Sequence, residues 1–373
     1  MDKSVSKIFD LVLKNGLVVL PNNKVEKTDI AINKGKITEL GSVNNDQAKQ
    51  VIDLKGLIVI PGAIDTQVHF REPGLTHKED IYHGTKGAVL GGITTIFEMP
   101  NTSPATINKR ELDVKIQIAE QSAFCNYSFF IGAAKENIHE LNKLEKLEGC
   151  CGVKIFMGSS TGNLLVEDDQ SLKEIISGLD RKFAVHSEDE YRLRDRKSIL
   201  SEPNITVKNH PDWRDEETAI NSTRRLLKIA REAQKKNLHI LHISTSDEIK
   251  KIEQNKDICT CEVTPQHLYF HSPDCYETFG TRVQMNPPIR TKKHQDGLWY
   301  GIKNKIVDVI GSDHAPHTNK EKNEKYPLSP AGMPGVQTLL PIMLNFVNKG
   351  KLTLDDLVRL ICKNPCKIYG IKN

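Results

Sequence analysis

No apolar run in this 373-residue chain approaches the roughly 18 residues that a membrane-spanning helix needs. The N-terminus, Met1-Asp-Lys-Ser-Val-Ser-Lys, lacks the apolar core of an export signal, so the chain reads as cytoplasmic with no membrane partner. Neither sign of charge is in excess: 52 Lys and Arg against 48 Asp and Glu leave a formal net charge of +4, interspersed along the chain. Such a balance carries no basic stripe for nucleic acid. Internal repeats and low-complexity tracts are missing, which sets solenoids and linkers aside. None of the eight cysteines forms a C-x-x-C pair. Cys125, the neighbours Cys150 and Cys151, and Cys259 with Cys261 therefore read as reduced thiols, mostly core, with no zinc-ribbon role.

What is present is the composition of a globular protein, 38% hydrophobic and 27% charged, long enough to bury a large core. Residues 1–60 read as a small β module. Phe9-Asp-Leu-Val-Leu, Gly16-Leu-Val-Val-Leu, Thr28-Asp-Ile-Ala-Ile, Lys36-Ile-Thr-Glu-Leu and Gln50-Val-Ile-Asp-Leu are strands separated by Asn- and Gly-containing turns. Ile58 to Ile64 reads as a short buried strand that runs out over Asp65 to Arg71. From there strands and helices alternate through residues 61–373, with strands expected near 63–69, 93–98, 126–131, 152–157, 182–186, 239–243, 258–263 and 307–312. Helices are expected over Asn108–Gln121, Glu217–Lys235 and Thr291–Lys303, and a leucine-spaced helix begins at Leu352. This is the rhythm of an α/β fold, a parallel (β/α)8 barrel of the TIM type. The longest loops, 196–213 and 314–333, are of a length that often forms functional lids.

Polar residues gather where these strands end. Side chains two apart on an extended chain face the same way, so Gln67 and His69 project together into the barrel mouth while Phe70 turns away. Lys154 lies in an apolar strand, Gly152-Val-Lys-Ile-Phe-Met-Gly, where a charged amine is costly. A neutral lysine can take up carbon dioxide as a carbamate, an anionic metal ligand. His186, His242 and Asp313, with His314 and His317 beyond it, end three more strands. A single histidine after a strand means little, but imidazoles and a carboxylate at several strand ends of one barrel converge, which suits a metal centre. Arg71, just past the first strand, presents the planar fork that receives an anion.

These motifs resemble those of the dihydroorotases, within the cyclic amidohydrolases and close to hydantoinases and allantoinases. Pro61-Gly-Ala-Ile-Asp-Thr-Gln-Val-His-Phe-Arg-Glu-Pro-Gly, Met99-Pro-Asn-Thr, Val153-Lys-Ile-Phe-Met-Gly, His186-Ser-Glu-Asp, Leu241-His-Ile-Ser-Thr, Asn286-Pro-Pro-Ile-Arg and Gly311-Ser-Asp-His-Ala-Pro-His carry the resemblance over essentially the whole chain. It implies zinc held by His69, His186, His242 and Asp313, with Lys154 as the carboxylated bridging ligand and Asp313 also the catalytic base. It implies a substrate carboxylate gripped by Arg71 and Asn101 with help from His317, and a pyrimidine ring lined by Asn286, Ala331 and Gly332. The expected reaction is reversible hydrolysis of (S)-dihydroorotate to N-carbamoyl-L-aspartate, a step of pyrimidine biosynthesis. The alternatives are a hydantoinase- or allantoinase-type enzyme, or an inactive homologue serving as a structural partner of aspartate transcarbamoylase. A homo-oligomer acting on a small molecule is the partner expectation.

Two departures from the family pattern stand out. Gln67 occupies the first position of the usual His-x-His, and an amide oxygen is a weaker zinc ligand than imidazole, so one tight zinc and a second, weaker one are expected. The usual return of the chain to complete the N-terminal β module is missing before Asn373, so that module is expected to be incomplete.

Overall fold

The computed structural model describes residues 8–22, 24–159 and 164–371. The Met1–Lys7 segment, read above for an export signal, and the terminal Asn373 lie outside them. The chain divides into two compact units, Met1–Pro61 and Gly62–Asn373.

The first unit is a five-stranded sheet of β1 (Leu11–Val19), β2 (Val25–Asn33), β3 (Lys36–Gly41), β4 (Val51–Asp53) and β5 (Ile58–Val59), in the order β3-β2-β1-β4 with β5 also on β1. Phe9, Val12, Ala31 and Val43 form its small core. Two expectations are corrected here. The strands expected at Phe9–Leu13 and Gly16–Leu20 are one strand, because Lys14-Asn-Gly makes a bulge rather than a turn. Asn15 takes φ 57°, the β1–β2 register shifts between Leu13 and Gly16, and the Asn15 amide donates to Asp29 Oδ1 at 3.0 Å. Ile58 does not start the barrel either: Ile58–Val59 runs parallel to β1, Ile58 is exposed, and Pro61-Gly62 separates it from the next strand.

The second unit is an eight-stranded parallel barrel: β6 (Ala63–Val68), β7 (Ile93–Glu98), β8 (Asn126–Gly132), β9 (Cys150–Phe156), β10 (Phe183–His186), β11 (Leu238–Ile240), β12 (Cys259–Val263) and β13 (Val309–Ile310). All eight lie where the apolar runs place them. β6 and β13 meet just past their ends, where the His69 amide donates to His314 O at 2.7 Å and the His314 amide to Gln67 O at 3.3 Å. Closure therefore falls on residues singled out as site candidates in the sequence.

Helices follow the strands, and several begin at side-chain caps. Asn108 accepts from the Glu111 amide ahead of Lys109–Ser122, and Asp215 accepts from that of Thr218 ahead of Glu216–Glu232. The latter helix stops before the expected Lys235, as Gln234 turns to φ 55°. Lys292–Lys303 matches its expected span. The helix read from Leu352 is Leu354–Val358, which widens into a π-turn over Arg359–Lys363. A last helix, Asn364–Tyr369, was not expected. Its Tyr369 packs against Phe97 and Phe130 in a core cluster that also holds Ile64, Met99 and Leu241. The two long loops contain short helical turns, among them His210–Trp213 and Asn319–Lys322. Six of the eight cysteines are buried, and none is paired. Among the described residues, no helix is long and apolar enough to cross a membrane.

Candidate active site

One pocket at the strand ends is lined by Gln67, His69, Arg71, Asn101, Lys154, Phe156, His186, His242, Asn286, Asp313, Ala315, Ala331 and Gly332. Every residue given a metal or substrate role in the sequence lies on this wall except His317, whose Nε2 lies 3.4 Å from Arg71 Nη2; His314 is not on it either. Three of them take left-handed backbone: Arg71 at φ 64°, His242 at 35° and Asp313 at 46°. Such torsions cost on the order of 1–3 kcal/mol each and collect where a side chain must be aimed.

Two pairs of ligand-type side chains face the pocket. His69 Nε2 stands 3.2 Å from Asp313 Oδ1, and its Nδ1 stands 2.8 Å from Asn101 Oδ1. The His186 and His242 rings meet edge to face, with His186 Nδ1 2.9 Å from His242 Nε2. Burial pushes all three imidazoles below their usual range, and the nearby Lys154 pushes each further the same way. They are neutral, the form that binds a metal.

Among the described residues Lys154 Nζ has no hydrogen-bond partner, and it lies 4.4 Å from the Phe156 ring centroid. Burial lowers its pKa to about 7 against the pull of Asp313 and Glu262, so a large share of it is free amine at neutral pH. Gln67 Nε2 donates to Asp313 Oδ1 at 2.9 Å, and its Oε1 is buried without a partner. To present its oxygen to an ion, that amide must turn over.

Among the described residues, no three His, Cys, Asp or Glu side chains close around one point by themselves. The donor set nonetheless fits a divalent ion. It comprises two facing imidazole nitrogens on one side, an imidazole–carboxylate pair on the other, and the unpartnered Lys154 amine influencing both.

The sequence reading gave no role to the residues behind these groups. Glu188, within the quoted His186-Ser-Glu-Asp, receives His186 Nε2 at 2.8 Å and is also bonded to Arg214. Burial raises the Glu188 pKa, but Arg214 and the His186 ring outweigh it and hold the carboxyl at about 2. An ionised carboxylate behind a ligand-type histidine fixes which ring nitrogen faces the pocket. His314 is similarly committed: Nε2 meets Glu79 at 2.6 Å, and Nδ1 accepts from the Gly335 and Val336 amides.

Arg71 is 2% exposed. Its Nε donates to Pro316 O at 3.1 Å, and its Nη2 lies 3.4 Å from His317 Nε2. A rim salt bridge with Glu72, Glu79 or Asp80 would be the structural explanation for it. All three are otherwise engaged, Glu72 with the Ile81 amide, Glu79 with His314, and Asp80 capping Ile81–Leu90. Among the described residues, no carboxylate lies within 4 Å of the Arg71 guanidinium. His317 is held by Lys78 at Nδ1 (3.1 Å) and Ala331 O at Nε2 (3.0 Å). Burial, with Arg71 and Lys78 adding to it, lowers its pKa to about 3, so the ring is neutral. Asn286 Oδ1 receives His210 Nε2 at 2.9 Å.

The family description "Amidohydrolase family" matches residues 58–373. A dihydroorotase of Methanosarcina mazei is 33% identical over 97% of this chain and 81% of its own length, and an allantoinase of Salmonella choleraesuis is 30% identical over 98% and 83%. Among solved structures, an L-hydantoinase (dihydropyrimidinase) from Arthrobacter aurescens superposes with a TM-score of 0.92 at 29% identity, covering 98% of this chain and 83% of that one. The chain belongs to the amidohydrolase family, and its barrel is that of the hydantoinase structures. Within that family, the resemblance to dihydroorotases drawn from its motifs is borne out by curated relatives of that name.

Proposed function

We propose that this chain is a zinc-dependent dihydroorotase, interconverting (S)-dihydroorotate and N-carbamoyl-L-aspartate in pyrimidine biosynthesis. The observation that carries this reading is Arg71. A buried guanidinium facing the pocket, in direct ion pair with no carboxylate among the described residues, is expensive unless an anion arrives with the substrate. Dihydroorotate carries such a carboxylate on its ring, whereas the rings of hydantoin and allantoin carry none.

Arg71 offers the carboxylate two parallel hydrogen bonds, and Asn101 stands beside it. His317 acts from behind, holding Ala331 and flanking the guanidinium. Asn286, Ala331 and Gly332 wall the ring. His69, His186, His242, Asp313 and a carbamate on Lys154 would hold the metal, with Gln67 a weak addition. Zinc bound there would activate water at neutral pH and polarise the scissile carbonyl. Asp313 takes the proton of the attacking water and returns it to the departing ring nitrogen; in the biosynthetic direction it works in reverse. Glu188 keeps His186 in one tautomer throughout.

A specific observation favours one alternative. The Gln67 amide occupies an oxygen of Asp313, as it would in an inactive homologue kept as a structural partner of aspartate transcarbamoylase. Zinc per chain and turnover in both directions, measured before chelation, after it, and after zinc is returned, separate the two. The proposed enzyme loses turnover with its zinc and regains it. A zinc-loaded protein that turns over neither dihydroorotate nor N-carbamoyl-L-aspartate, nor hydantoin or allantoin, would be the inactive partner.

A further inference from the structure

Lys322 ends the short helix Asn319–Lys322, within the loop that joins His317 to Ala331 and Gly332. It is 8% exposed, and its stem carries the ammonium inward rather than out to solvent. Nζ donates to three main-chain carbonyls: Gln284 O at 3.2 Å, Pro330 O at 2.9 Å and Gly332 O at 3.0 Å. An ammonium has three hydrogens, and all three are used. Among the described residues no carboxylate offsets the charge; burial lowers the pKa to about 8.

The three carbonyls belong to the two chain segments that carry the pocket residues Asn286, Ala331 and Gly332. Gln284 lies two residues before Asn286, and Pro330 and Gly332 flank Ala331. The same segments are stitched by Gly332 N to Gln284 O at 2.9 Å, Ser329 Oγ to Gln284 Oε1 at 2.7 Å and Gln284 Nε2 to Ser329 O at 3.1 Å. Position 332 has no room for a side chain, because a Cβ there would lie 2.5 Å from Ala315 O and 2.9 Å from His317 Nε2. Its φ of 143° suits glycine.

We propose that Lys322 is a positioning residue, a built-in cation whose three carbonyl contacts set the distance between segments 284–286 and 330–332 and so shape the wall that meets the substrate ring. Packing alone does not call for a lysine here, since an apolar side chain would fill the space at lower cost. It would leave the Pro330 and Gly332 carbonyls without this donor and Gln284 O with the Gly332 amide alone, and the loop would move to find partners for them. The inference rests on the reading of Asn286, Ala331 and Gly332 as the ring wall, but not on which cyclic amide is the substrate.

The test compares Lys322→Met, which keeps volume and removes charge and donors, with Lys322→Ala, which opens the cradle to an added cation. With the substrate the native protein turns over best, Lys322→Met should raise KM about tenfold or more, the scale of a lost charge-assisted contact, and leave kcat within about threefold. Lys322→Ala should behave alike, and ammonium or methylammonium, but not tetramethylammonium at equal ionic strength, should restore at least half of the lost affinity. Amide exchange removes any dependence on the substrate assignment. The Gly332 amide should exchange faster in both variants and slow again in Lys322→Ala with ammonium, while the β8 and β9 amides stay as in the native protein. An unchanged KM and unchanged Gly332 exchange in Lys322→Met overturn the inference. A parallel fall of kcat and melting temperature without ammonium rescue does so too, since that is the behaviour of a general structural prop.

Discussion

Replacing Arg71 by lysine isolates the head group that distinguishes one cyclic amide from another. Both residues pay the same price for φ 64°, and both keep a positive charge beside His69, so the metal-facing histidines sense little change. Lysine loses the Nε bond to Pro316 O that sets the plane of the fork, and loses one of the two parallel bonds the fork can give a carboxylate. A hydrogen bond to a charged partner contributes about 1.5–3 kcal/mol, and 1.4 kcal/mol is a factor of ten, so kcat/KM for dihydroorotate should fall roughly 10- to 150-fold. A ring without the carboxylate, such as dihydrouracil or hydantoin, should lose less than about fourfold, because nothing on it meets the fork. The assay is steady-state ring opening of both substrates by native and Arg71→Lys protein of equal zinc content. Equal losses on the two substrates would refute the reasoning and make Arg71 a structural pin of the Pro316 loop.

Three further outcomes follow from the same geometry. Asp313→Asn should retain zinc on the His186–His242 side while turnover falls about 10²–10⁴-fold, since an amide cannot accept the proton; retention of more than about a tenth of native kcat would remove Asp313 from that role. Gln67→His should add a second tightly bound zinc to about one in the native protein, read by metal analysis after dialysis; two equally tight zincs in the native protein would refute the weak-site argument. Asp168→Ala removes the cap that accepts from the Ser171 amide at 2.8 Å and should cost about 1 kcal/mol in urea unfolding. The Ser171 amide and then Lys135 hold the Asp168 carboxyl at about 2, below its ordinary 3.8. Its stabilisation is therefore complete above pH 4 and lost as pH falls through 2, so the gap between native and variant should close over that window; a gap independent of pH would mean the cap is not ionised.

The barrel was legible because each strand is a short apolar run, and a polar residue marks where each of the site-bearing runs stops: His69, His186, His242, Asp313. The N-terminal sheet was legible only in outline. Lys14-Asn-Gly has turn composition, yet Asp29 receives the Asn15 amide and lets the chain continue as one bulged strand, which no local pattern reveals. Ile58–Val59 looks like a barrel strand by composition, and its pairing with β1 is set by residues some forty positions away. In the site, the pocket-facing groups announced themselves by residue type, but their supports did not. Glu188 and Arg214 meet through the fold, and Lys322 bonds to main-chain carbonyls, which leave no trace in the identity of the residues that carry them.

Substrate preference is read most directly from kcat/KM of the zinc-loaded native protein for dihydroorotate, dihydrouracil, hydantoin and allantoin, side by side at one pH. Dihydroorotate should lead by at least about 100-fold, the value of a carboxylate held by a buried arginine fork. A lead by any ring lacking the carboxylate would contradict it.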